Sequence, residues 1–177
     1  MNELKDEPLG SVEWVDADEL KANAYNPNHV ATPEMKLLEH SILTNGWIQP
    51  VLASRDSGVI IDGFHRWLIS RESKKMGVKY GGKLPVVYLD VSDVEAKLLT
   101  VRINRAKGEH SSSQMSALVR SVIEDHGLTI EEVMEGIGAG KKEVELLLMP
   151  DVFKARKIAE HKYSRAWYPV EAEVNPE

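Results

Sequence analysis

The segment Ile60-Ile61-Asp62-Gly63-Phe64-His65-Arg66-Trp67 sets a carboxylate, a glycine, an imidazole and a guanidinium side by side. The β-branched run before it reads as a strand, and a helix is expected just after it. Such a junction presents unbonded backbone N–H groups and the positive end of a helix dipole at a strand tip, which suits an anion. Gly63 permits positive φ or close approach of a ligand. Arg66 falls in the first helical turn, where its planar fork matches phosphate oxygens. His65 can donate, accept or carry a proton near neutral pH. Asp62 is positioned to hold a metal ion or to orient His65. A structural alternative stands beside this reading: Arg66 pairs with Asp62, and His65 is a surface imidazole.

A second basic cluster, Val101-Arg102-Ile103-Asn104-Arg105-Ala106-Lys107-Gly108-Glu109-His110, lies at the end of an expected helix. Cations there already complement the helix dipole, so Arg102, Arg105 and Lys107 need no ligand to explain them. Asn104 is a polar amide beside a basic run and suits a specific hydrogen bond. The Asn-Arg pair with the following Glu-His either completes a phosphate and metal site or ends a helix.

These clusters belong to an acidic chain with a net charge of −6, so basic groups gathered in two places point to a local anionic ligand rather than a nucleic-acid coat. The absence of cysteine excludes disulfides, thiolate zinc sites and cysteine nucleophiles. No apolar run reaches the roughly 20 residues of a membrane helix, and the polar start is unlike a signal peptide, so a cytoplasmic protein is expected.

The elements that must carry the clusters follow from periodicity. Residues 1–10 read as a disordered lead, and 12–15 as a short strand followed by one helical turn at 16–20. A loop at 23–28 precedes a helix begun by Thr32-Pro33 and ended at Asn45-Gly46. Strands are expected at 50–54 and 59–61, with a turn at Asp56-Ser57-Gly58. A single helix over 64–76 is expected to stop at Gly77. Residues 84–89 form the best buried-strand candidate. The next helix starts at a Ser92/Glu95 capping box, with Ala96, Leu99 and Ile103 on one face. Beyond Ser111 all expected elements to Met149 are helices, at 115–126, 129–135 and 141–148. This places an α/β (α+β) domain with a small mixed sheet at 11–110, a helical subdomain at 111–150, and a tail at 151–177 with a weak helix over 152–163.

In the sequence Ser41-Ile42-Leu43-Thr44-Asn45-Gly46-Trp47-Ile48-Gln49-Pro50-Val51, followed by Gly63-Phe64-His65-Arg66-Trp67, the order and gaps resemble ParB-type proteins of the ParB/sulfiredoxin superfamily. There the phrases are SI-x-x-x-G, QP-V and GERRW, and the similarity spans about 12–110. The resemblance implies that the glycine-arginine segment and the later Asn-Arg segment contact the triphosphate of CTP or ATP. It carries that role to Gly63, His65, Arg66, Asn104 and Arg105. Phe64 and His65 replace the family's Glu and first Arg. The form DG-x-HR is similar to phage, plasmid and serine-kinase relatives, so both nucleotides stay open. Sulfiredoxin's phrase GCHR needs its cysteine, which is Phe64 here, and sulfinic acid reduction is excluded.

Phosphate transfer would need neutralising cations, Mg²⁺ and a base. Asp62 and Glu109 are the candidate Mg²⁺ ligands. Candidate catalytic groups are Asp62, His65, Glu39 and Glu34, the glutamates reading equally as helix-surface carboxylates. Residues 128–148 place Met134, Gly138, Val144 and Leu147 at helix-turn-helix spacing, as ParB proteins do after their nucleotide domain. Lys141 and Lys142 are the DNA-contact candidates, opposed by Glu143 and Glu145, so packing or homodimerisation competes with DNA reading. Three functions follow as expectations: a ParB-like ATP- or CTP-binding protein with Mg²⁺, hydrolysing the nucleotide and associating with DNA; a small-molecule phosphotransferase like the free serine kinases, or a DNase; and a DNA-associated regulator with a decayed nucleotide site.

Overall fold

The computed structural model describes residues 7–23, 32–107 and 112–149. The expected loop at 23–28 and the whole C-terminal tail fall largely or wholly outside them, as do Gly108, Glu109 and His110. Four strands, β1 (Val12–Asp16), β2 (Val51–Ser54), β3 (Ile60–Asp62) and β4 (Lys83–Leu89), form one mixed sheet in the order β1-β4-β2-β3. β1 runs antiparallel to β4, with Trp14 opposite Pro85. β2 runs parallel to β4, with Val51 opposite Val86, and antiparallel to β3. The parallel pair requires a crossover, supplied by β3, α2 (Phe64–Glu72) and α3 (Lys74–Tyr80). The α+β class expected from the sequence is the class observed.

Val51, Ala53, Leu84 and Val86 of the inner strands bury their side chains against Trp67 of α2. The Trp67 indole donates to Ala17 O at 2.8 Å, so its polar atom is satisfied while its ring fills the core. A second cluster, Ile42, Ile69 and Met76, locks α1 (Thr32–Asn45) onto α2 and α3.

Four local expectations need correction. The single helix 64–76 is two helices. Ser73 is extended (φ −80°, ψ 120°), closes α2 and caps α3 by accepting from Met76 N. Its hydroxyl also donates to Glu39. A serine offered cap partners on both sides prefers the break to a helix interior. Gly77 therefore lies inside α3, and the stop is Gly81 at φ 64°. Within the expected disordered lead, Pro8–Gly10 forms a 3-10 turn.

The third correction concerns α4 (Asp93–Lys107). It does start at the Ser92/Glu95 capping box. Its buried residues are Ala96, Lys97, Leu98, Thr100 and Val101, not one stripe of Ala96, Leu99 and Ile103. The helix is covered on two sides, so burial spans a wide arc. On one side Thr100 Oγ1 lies 3.2 Å from Ile61 O of β3. On the other, Leu98 and Val101 join Leu118, Val119 and Val122 of α5 (Ser112–His126). Val133 and Ile137 of α6 (Ile130–Ile137) and Val144 and Leu147 of α7 (Lys141–Leu148) complete that cluster. The apolar phase of α6 is thus one residue earlier than Met134 and Gly138. Gly138 is exposed and ends the helix at φ 65°.

Candidate functional site

Asp62 is the last residue of β3, and Gly63 turns the chain into α2 with φ 92°. The backbone conformation calls for the glycine, and the space above it is already taken. Its φ is one that side-chain-bearing residues rarely adopt, and an added Cβ would come 2.8 Å from the Arg66 guanidinium and 3.1 Å from Val51 Cγ2. Arg66 folds back over this bare backbone. Its Nη2 donates to Asp62 Oδ2 at 3.0 Å, and its Nη1 donates to the side-chain oxygen of Gln49. Its Nε is buried with no hydrogen-bond partner. Lys107, at the end of α4, donates Nζ to Asp62 Oδ1 at 2.6 Å. Both oxygens of one carboxylate are therefore engaged by two cations from different elements, and the carboxylate is largely buried, its side chain 17% exposed.

The first turn of α2 has no capping side chain and no acidic residue. Two cations, one carboxylate and a helix start then leave an excess of positive potential at this corner. His65 is half-buried in the same turn, its ring edge-on to Phe64 at 5.7 Å between centroids. Phe64 itself packs against the core cluster under the sheet and touches Trp67, with ring centroids 5.3 Å apart.

Asp62, Gly63, His65 and Arg66 are thus brought together by the strand–helix junction. Asn104, three residues before Lys107, is half-buried on the same helix. Arg105 turns the other way. Its Nη1 donates to Ile137 O at 2.6 Å and its Nη2 pairs with Glu143 at 3.0 Å. With Arg102, which donates Nε to Gly136 O at 2.8 Å, it satisfies the last carbonyls of α6. Glu39 lies at the α2–α3 junction with Ser73 and, at 3.8 Å, Lys75, while Glu34 is exposed in the first turn of α1. Glu109 is outside the described residues. Among those residues no three His, Asp or Glu side chains converge as a metal site. A Mg²⁺ ion here would rely on ligand phosphates with Asp62 as the protein carboxylate, a donor set that suits this ion.

Lys141 and Lys142 are exposed at the start of α7, which has no side-chain cap. Of the glutamates expected to oppose them, Glu143 is drawn to Arg105. A groove of about 410 Å³ lined by Glu13, Lys21, Arg55 and Tyr88 opens elsewhere on the sheet and contains none of the candidate residues. Arg55 lies over the Tyr88 ring at 4.9 Å there, and partial burial raises the Tyr88 hydroxyl above its ordinary pKa.

Sequence reasoning left out two members of the cluster. Gln49 was visible as part of the phrase Gln49-Pro50-Val51, yet had no assigned chemistry. Lys107 was visible as a helix-end charge. That α4 returns its C-terminus to β3 is a tertiary fact, and no local spacing announces it.

No family model matches the chain. It is 34% identical to the uncharacterized protein YbdM of Escherichia coli over 168 residues, 93% of this chain and 79% of that one. It is 27% identical to a nucleoid occlusion protein of Bacillus velezensis over 161 residues, and 24% identical to a probable chromosome-partitioning protein ParB of Rickettsia bellii over 143 residues. The chain spans only 54% and 47% of the length of these last two. Among solved structures, a C-terminally truncated ParB from Caulobacter crescentus complexed with CTP-γ-S aligns with 85% of this chain and 86% of its own, at 20% identity and a TM-score of 0.43. The same protein complexed to the centromeric parS site aligns with 84% of this chain and 78% of its own, at 17% identity and a TM-score of 0.48.

Proposed function

The chain belongs to the ParB-like proteins of the ParB/sulfiredoxin superfamily, and from that premise we propose that it binds a nucleoside triphosphate, ATP or CTP, with Mg²⁺ at the β3–α2 corner. The observation that carries this reading is the pairing of Arg66 and Lys107 on Asp62 beside the uncapped start of α2. Gly63 leaves room for Arg66 to lie over the junction, and from there Arg66 forks onto the phosphate oxygens. Lys107 adds a second cation from α4. Asn104 and His65 are the further candidate contacts to the phosphates, and Asp62 would be the carboxylate that holds Mg²⁺, which would supply charge neutralisation there. If the nucleotide is hydrolysed or its phosphate transferred to a small hydroxyl compound, His65 is the group best placed to move the proton, since Glu39 is committed to Ser73 and Lys75.

Calorimetry with ATP and CTP, each with and without Mg²⁺, tests the proposal. Saturable binding by the wild type and its loss in Arg66→Ala is the expected result. Full affinity in Arg66→Ala would overturn it. Phosphate release measured with and without small hydroxyl compounds then separates binding alone from hydrolysis and from transfer.

A DNA partner is the second part of the proposal. Pairing of Glu143 with Arg105 removes one of the two carboxylates that would repel a phosphate backbone, and leaves Lys141 and Lys142 at an uncapped helix start. Expected is a salt-dependent mobility shift that Lys141→Ala/Lys142→Ala removes. Unchanged DNA affinity in that double variant would exclude the α7 start as the contact.

A further inference from the structure

Asp62 does more at this corner than its candidate role toward a metal ion explains. We propose that its carboxylate is a built-in counter-anion that sets the specificity of the site. It pairs with Arg66 and Lys107, competes with small single anions for them, and yields only to a phosphate chain. The inference rests on the anion-site reading given above.

Three observations support it. The carboxylate is largely buried and has one oxygen on each cation, the arrangement an incoming phosphate would adopt. It is tethered to the same strand–helix junction as Arg66, so it competes at the high effective concentration of an intramolecular group. The guanidinium it holds is not saturated, because Nε is buried without an acceptor. A lone phosphate would exchange one anion for another and gain little. A polyphosphate also reaches the uncapped first turn of α2, which the carboxylate does not cap. Removing the negative charge while keeping the shape would leave two cations under-compensated at a half-buried corner, a state that calls for an external anion.

The test uses the full chain, sodium tripolyphosphate and inorganic phosphate as probes, and a chelator to remove divalent cations. Asp62→Asn keeps an acceptor for Arg66 and loses the charge. It should bind tripolyphosphate about tenfold or more tighter than the wild type, one factor of ten being about 1.4 kcal/mol. Inorganic phosphate should bind Asp62→Asn and not the wild type. Adding Arg66→Ala should remove the gain. If Asp62→Asn does not fold, judged by a cooperative melt, Asp62→Ser takes its place with the same expectation. Equal or weaker tripolyphosphate binding by the Asp62 variant overturns the counter-anion role, and the nucleotide reading still stands if the wild type binds ATP or CTP with Mg²⁺. A wild type silent to both nucleotides beside an Asp62 variant that gains tripolyphosphate overturns the nucleotide reading alone. Silence in every protein overturns both.

Discussion

The helices α2 and α6, of nine and eight residues, begin in opposite ways. α6 starts with Thr129, whose hydroxyl accepts from Glu132 N at 3.2 Å while the Glu132 carboxylate accepts from Thr129 N at 2.8 Å. Its first turn is satisfied by its own sequence. α2 starts with Gly63, which has no side chain to offer, and carries no acidic residue in its first turn. In place of a cap it has Arg66 and Lys107 gathered on Asp62. A helix start closed by Thr and Glu holds its own first turn, whereas one left open beside two cations is the start at which we propose an anion binds. The cost of that openness falls on the backbone of Gly63.

The largest expected effect comes from forcing a side chain onto that backbone. Gly63→Ala strains a residue at φ 92° and drives its Cβ into the Arg66 guanidinium. A loss of about 2 kcal/mol is expected from the conformation alone, read as a lower urea midpoint at unchanged slope, together with loss of nucleotide binding. Wild-type stability and affinity in this variant would remove the reason for glycine at the corner, and the contrast with α6 would lose its meaning.

The next effect separates two arginines that the sequence treats alike. Arg105→Ala leaves Ile137 O and Glu143 without their partner, and a loss of about 1 to 2 kcal/mol is expected. Nucleotide affinity should hold within about twofold, well under the tenfold that 1.4 kcal/mol represents. Loss of affinity comparable to that of Arg66→Ala would place Arg105 on the ligand after all. Thr129→Ala should then cost about 1 kcal/mol, as N-cap removal typically does, and leave anion binding untouched.

How far the sequence reached follows the same division. Features written in local chemistry were legible: the capping box at Ser92/Glu95, the strand–glycine–helix turn at Gly63, and the ordered phrases around Gln49 and Arg66. Features fixed by what packs where were not. Ser73 breaks a helix because Glu39, 34 residues away, accepts its hydroxyl. Lys107 meets Asp62 across 45 residues because α4 packs on β3. Arg105 points into the helical cluster because the end of α6 offers bare carbonyls there. Periodicity assigned one face to α4, whereas contact on two sides also buries Lys97, which pairs with the exposed Asp93 at 3.0 Å.

The smallest effect is in the pH dependence of the closed helix start. The Glu132 carboxyl lies below its ordinary pKa, first because Thr129 N–H donates to it and second because the Thr129 hydroxyl does. Glu95 is lowered in the same way by Ser92. A carboxylate favoured in the folded state contributes fully above its unfolded pKa, and that contribution fades as pH falls through the lower folded value. Glu132→Gln should therefore unfold at lower urea than the wild type near neutral pH, and the gap should close between roughly pH 5 and pH 3. Because the group is fully exposed, the gap is small and shrinks further with salt. Two denaturation curves that stay the same distance apart down to the acid limit would mean that the α6 cap owes nothing to the charge of Glu132. The contrast with α2 would then rest on hydrogen bonds alone.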